Sequence, residues 1–159
     1  MSKSGNFKLD YTKLKKGFYV SRYDCGVITY DMRVRTPYKD ELLMNDELNS
    51  LSSMLDTYMR EDKNFGDKVV YVGPTGCQTG FNVIMSASVS PAQALICVKN
   101  ALKKIIEHKG PMANSDKEEC GNYYTLSVVA AKDIATEYYE TIKDQIAVKG
   151  YTEEWKQCQ

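Results

Sequence analysis

Few residues in this chain can do chemistry, and they are unevenly placed. Imidazole occurs once, at His108, and thiols occur at Cys25, Cys77, Cys97, Cys120 and Cys158. The cysteines are odd in number and widely spaced, with no C-x-x-C pair, so neither a disulfide framework nor a zinc ribbon is expected. Cys77 lies in Gly73-Pro74-Thr75-Gly76-Cys77-Gln78-Thr79-Gly80, a glycine-flanked loop. Such a loop can hold a thiol near a guanidinium or backbone N–H groups, which lowers its pKa and suits it to nucleophilic or proton-transfer work. A buried, inert cysteine kept with its loop is the competing reading. Arg33 has two readings as well: a contact for an anionic or carboxylate ligand, or an ion pair with Asp31. His108 falls at the end of a helix, where partial positive charge suits the macrodipole.

Positioning those groups takes strands and helices that the sequence marks well. Gly17–Tyr23 and Val27–Arg35 alternate as two strands around a Cys25-Gly26 turn. Ile28, Tyr30, Met32 and Val34 share one face of the second, and Thr29, Asp31, Arg33 and Arg35 the other. Residues 46–61 carry Leu48, Leu51, Leu55, Tyr58 and Met59 at helical spacing, which leaves Asn49, Ser52, Ser53 and Asp56 on a polar face. Strands are expected at 68–72 and 81–87, either side of the Cys77 loop. Ser90-Pro91-Ala92-Gln93 reads as a helix start with cap, N1 proline and capping box. Leu95, Val98, Leu102, Ile105 and Ile106 stripe that helix, and Gly110-Pro111 stops it. A final helix over 128–147 turns Ile134, Tyr138, Ile142 and Ile146 inward. This mixed order predicts an α+β fold, and the length predicts a single domain over 1–159 with a polar arm at 1–10 and a tail from about 148.

Composition narrows the function classes. The chain has 159 residues, 43% hydrophobic and 26% charged, with 21 basic and 21 acidic side chains. A net charge of zero lacks the clustered positive charge that polyanion binding needs, so no nucleic-acid partner is expected. No apolar run approaches 18 residues, which argues against a membrane span. Met1–Asp10 is polar and lacks the apolar core of a secretory signal, so a reducing, cytoplasmic compartment with free thiols is expected. The twelve tyrosines, with pairs at Tyr123-Tyr124 and Tyr138-Tyr139, read as packing residues.

Five ordered stretches together resemble the S-ribosylhomocysteine lyase, or LuxS, family. Residues 73–81 are similar to its P-M-G-C-x-T-G signature, and Phe7-Lys8-Leu9-Asp10 to its F-x-L-D-H. Tyr30-Asp31-Met32-Arg33 with Pro37 and Lys39 resembles F-D-[IL]-R-F-x-x-P-N-K, Glu119-Cys120-Gly121 resembles Q-C-G, and Ala130-Ala131-Lys132 fits the L-x-x-A-K helix. The resemblance implies an antiparallel sheet of about four strands packed with helices, in a homodimer with a pocket at the subunit interface. It also implies a divalent metal, iron(II) or zinc, held by two histidines of an H-x-x-E-H helix and the Q-C-G cysteine. The implied activity proceeds through successive enolisations of the ribose, with glutamate and the P-x-G-C cysteine moving protons. Its products are homocysteine and the precursor of autoinducer-2, a quorum-sensing signal.

On the register of that resemblance, Asn49 and Ser53 stand where the family has its histidines, and Ser52 stands where it has its glutamate. Tyr11 takes the N-terminal histidine position, Asn6 that of a serine, and Tyr71 that of an acidic residue, while Arg33, Cys77 and Cys120 match. No register recovers two histidines from a chain that has one. Amide and hydroxyl oxygens are weak ligands for borderline metals beside imidazole. A site rebuilt from Cys120 and Asp56 is the geometric alternative. The expectation is a LuxS-type fold without metal-dependent lyase chemistry and without a cofactor, a pseudoenzyme that acts in small-molecule binding or as a regulatory or dimer partner. It would act as a homodimer, or as a regulatory partner of an intact LuxS relative. The alternatives are an active lyase with atypical metal ligands and a metal-free thiol enzyme using Cys77.

Overall fold

A computed structural model of the protein describes residues 9–150. Period-two alternation gives strands β1 (Gly17–Asp24), β2 (Val27–Arg33), β3 (Val69–Pro74) and β4 (Gly80–Ser86). Three helices follow from the apolar stripes: α1 (Asn45–Arg60), α2 (Pro91–Glu107) and α3 (Val128–Ile142). The expected α+β fold is what forms, with one addition. A short strand β5 (Lys149–Gly150) lies parallel to β1, and the sheet order is β3-β4-β2-β1-β5. The other pairings are antiparallel.

The helices and one face of the sheet enclose the core. Phe18 and Val20 of β1, Tyr30 and Met32 of β2, and Phe81, Val83 and Met85 of β4 are buried in one cluster with Leu51, Leu55, Val98, Leu102, Ile134 and Tyr138. Phe18 and Tyr30 stack across the strands with ring centroids 5.0 Å apart. The α2 start behaves as its sequence predicts: Ser90 Oγ accepts from Gln93 N at 3.3 Å, and Gln93 Oε1 accepts from Ser90 N at 2.9 Å. α1 begins differently, at Met44, which has no side-chain acceptor; the Glu47 carboxylate accepts the Met44 N–H at 2.7 Å.

The end of α3 departs from the sequence reading. The helix closes at Ile142 rather than near 147, and Ile146, expected inward, is 86% exposed. A polar side chain causes the early stop. Gln145 pairs its amide with the backbone of Phe18, accepting from its N–H at 3.1 Å and donating to its carbonyl at 2.7 Å. Lys99 Nζ meanwhile donates to the carbonyls of Lys143 (2.8 Å) and Gln145 (2.7 Å), satisfying groups that the helix end leaves open. The chain is thus led onto the β1 edge, where Lys149 and Gly150, expected in a tail, pair as β5.

Candidate functional site

The sheet face turned away from the helices carries the polar residues. Cross-strand register sets Asp31 between Tyr19 on β1 and Asn82 on β4, and Arg33 between Gly17 and Gly80. Gly80 is required by close approach: a Cβ there would lie 2.4 Å from the Met32 carbonyl oxygen and 3.2 Å from Arg33 Cα. Beyond β2 the ladder opens, because Val34 N and Arg35 N both donate to the Thr79 carbonyl, at 3.1 and 2.8 Å. That fastens the Cys77 loop to the end of the Arg33 strand. The loop closes on itself through Gln78 N to Thr75 O at 3.0 Å and Thr75 N to Gly80 O at 2.9 Å.

A cavity of about 570 Å³ opens where these elements meet, lined among others by Tyr11, Asp31, Arg33, Tyr38, Cys77 and Asn82. Its floor is a buried ion pair: Arg33 is 2% exposed and donates from Nη2 to Asp31 Oδ2 at 2.5 Å. The ion pair with Asp31 that the sequence offered for Arg33 forms, and the paired guanidinium also lines the cavity. Arg33 Nη1 donates to Thr79 Oγ1 and sits 3.4 Å from Cys77 Sγ. The Tyr11 ring lies 5.6 Å from the guanidinium carbon, in cation–π range.

Cys77 as a residue is exposed, while its sulfur rests against Thr79 Oγ1 at 3.0 Å and Thr75 Oγ1 at 3.4 Å. Burial pushes the thiol pKa up, but hydrogen bonds from Thr75, Thr79 and Arg33 outweigh it and hold the thiol below its ordinary value. The opposite holds for Cys97, which burial in the core pushes up to about 12. At Tyr11, burial and the Cys77 charge raise the phenol, and Arg33 opposes them. The arrangement presents a thiolate-prone sulfur, a guanidinium–carboxylate pair and aromatic walls to one small-molecule-sized space.

Of the residues singled out in the sequence, Arg33, Cys77 and Tyr11 come together here. Tyr71 is exposed on the same sheet face and stands outside the lining of the cavity. Its ring folds over Gly73, where an added Cβ would collide with it. Asn6 lies outside the described residues. The remaining positions form a separate cluster. Asn49 on α1 donates from Nδ2 to Thr125 Oγ1 at 2.9 Å and to the Asn122 carbonyl at 3.3 Å, and Asn122 N donates to Cys120 Sγ at 3.5 Å. Ser52 Oγ donates to the Asn49 carbonyl at 3.1 Å, and Ser53 is half-buried beside it. Asp56 is ion-paired with Arg60. His108 is occupied elsewhere: its Nε2 faces the carbonyls of Gly110 and Pro111, both at 3.1 Å, and its Nδ1 lies in hydrogen-bond contact with Tyr58 Oη at 2.7 Å.

Sequence reasoning passed over Thr75, Thr79 and Tyr38 as site residues. The threonines had a signal, since both sit two residues from Cys77. Tyr38 had none in its spacing, because a loop conformation puts it on the cavity.

An α+β protein whose sheet presents a cysteine–arginine cavity on its helix-free face is the class that fold and site define. The profile of the family described as S-Ribosylhomocysteinase (LuxS) matches residues 5–149. An S-ribosylhomocysteine lyase of Desulfotalea psychrophila is 31% identical over 153 residues, covering 94% of this chain and 96% of that protein. Proteins of the same name from Clostridium beijerinckii (28% over 153 residues; 94% and 96% covered) and Porphyromonas gingivalis (30% over 148 residues; 91% and 93% covered) are similar over nearly their whole length. The chain belongs to the LuxS family.

Proposed function

We propose that this LuxS-family protein is a pseudoenzyme: it binds a small polar ligand in the Cys77–Arg33 cavity and does not carry out the metal-dependent lyase step. One observation carries the reading. The α1 positions where the resemblance puts two histidines and a glutamate hold Asn49, Ser53 and Ser52, and the Asn49 amide is already committed to Thr125 and Asn122. Iron(II) or zinc does not fit such donors. Beside Cys120 they offer one amide and hydroxyl groups, and among the described residues no three of His, Cys, Asp and Glu gather to hold an ion. The cavity itself keeps polar and charged groups placed to hold a ligand.

The same reading makes the protein a homodimer, or the partner of an intact relative, with the helix-free sheet face as the surface to cover. It sets the protein in a reducing, cytoplasmic compartment. In support, Cys25, Cys77, Cys97 and Cys120 are free thiols, and among the described residues no helix is long and apolar enough to cross a membrane.

A second reading, an active S-ribosylhomocysteine lyase with atypical ligands, is favoured by the name its relatives share and by the Cys77–Arg33 pairing. Metal analysis and a homocysteine-release assay on one preparation, purified without chelator, decide between them. The pseudoenzyme reading expects metal well below one ion per chain and no thiol release above background. Stoichiometric iron or zinc with turnover of S-ribosylhomocysteine overturns it.

A further inference from the structure

At the mouth of the Cys77 cavity the backbone bears a strain that the fold does not repay. Tyr38 has φ of 65°, the left-handed region that glycine and asparagine enter cheaply and a bulky side chain does not. The family pattern that the segment resembles has asparagine at this place. The turn does not depend on the tyrosine ring. Thr36 O accepts from Lys39 N at 3.2 Å and from Asp40 N at 3.0 Å, and Asp40 Oδ2 accepts from Thr36 N at 2.6 Å. The ring is 84% exposed in the single chain, so contacts within the chain offset little of the strain. It lines the cavity that holds Arg33, Asp31, Asn82 and Tyr11. Strain kept at a bulky, exposed residue beside a pocket points to what the residue does there.

We propose that Tyr38 is a stacking platform that sets the ligand class of this cavity: a small molecule with a planar aromatic ring joined to a hydroxylated or zwitterionic part. The ring rests on Tyr38, and the polar part meets the Asp31–Arg33 floor, which offers both signs of charge. This rests on the reading of the cavity as a ligand pocket and adds the ring to it. A ligand with sugar and thioether alone gains nothing from Tyr38. One with a planar base gains about tenfold in affinity, the usual scale of base–aromatic stacking.

Calorimetric titration with two probes tests this. S-adenosylhomocysteine carries a purine on its ribose, and S-ribitylhomocysteine has no ring and no aldehyde to enolise. The wild-type chain is expected to prefer the ring-bearing probe by about tenfold. Tyr38→Phe should keep the preference and Tyr38→Asn should abolish it, with a melting temperature no lower than wild type. Equal affinity of the wild type for both probes, or an unchanged preference in Tyr38→Asn, overturns the assignment of Tyr38 and leaves the pocket reading standing. A markedly lower melting temperature in Tyr38→Asn also overturns it, by showing that the ring supports the fold. Binding of neither probe overturns the pocket reading and this inference together.

Discussion

A thiol's reactivity is set by the groups that touch it, and at Cys77 those groups are two hydroxyls and a guanidinium on neighbouring elements. They stabilise the thiolate against the cost of burial, so its pKa lies below the ordinary thiol value. Alkylation by iodoacetamide therefore has its pH midpoint below that of a solvated cysteine. Thr79→Val removes one hydrogen bond to sulfur and should move the midpoint upward, measured as rate against pH by mass spectrometry. A midpoint that stays put in the variant would show that Thr79 does not stabilise the thiolate. The sign for stability follows from the lowered pKa. Thiolate stabilisation contributes above the unfolded thiol pKa and is lost as pH falls through the folded one.

Among the elements, the β1 edge depends on a residue that belongs to no strand or helix. Gln145 supplies an acceptor and a donor to Phe18 and so carries the chain from α3 to β5. Each such hydrogen bond contributes about 0.5–1.5 kcal/mol. Gln145→Ala should cost about 1–3 kcal/mol, read as a lower urea midpoint with unchanged slope. Ile146→Ser next door, at an exposed position, should stay within about 0.5 kcal/mol of wild type. Equal losses in the two variants would mean that the periodic reading of residues 143–147 as helix was closer to the truth than the observed turn.

For the molecule as a whole, the asymmetry of the sheet matters most. Helices cover one face, while the other bears the cavity, Tyr71 and the half-buried Ile84. A homodimer that covers this face predicts a mass in light scattering of twice the 18.0 kDa chain. Tyr71→Glu, placing charge on the exposed part of that face, should shift the mass toward one chain. A wild-type protein that runs as a monomer at micromolar concentration would remove the homodimer and leave partnership with an intact relative as the assembly to seek by co-purification.

How much of this was legible beforehand differs by kind of interaction. The amino-acid order by itself determined strands β1 to β4, the bodies of the three helices, the Ser90 cap and the loop that carries Cys77, because those follow from period, capping chemistry and turn residues within a few positions. It also determined the lack of a second imidazole, which no fold can supply. Only the tertiary structure decided that Arg33 is at once an ion-pair partner and a cavity wall, that Asn49 meets the turn after Cys120, and that Gln145 ends a helix whose periodicity ran on. Tyr38 belongs to the same group, since nothing in its sequence spacing set it over a pocket. Each of these contacts joins residues distant in the chain or depends on a loop's backbone angle, and hydropathy patterns carry no information about either.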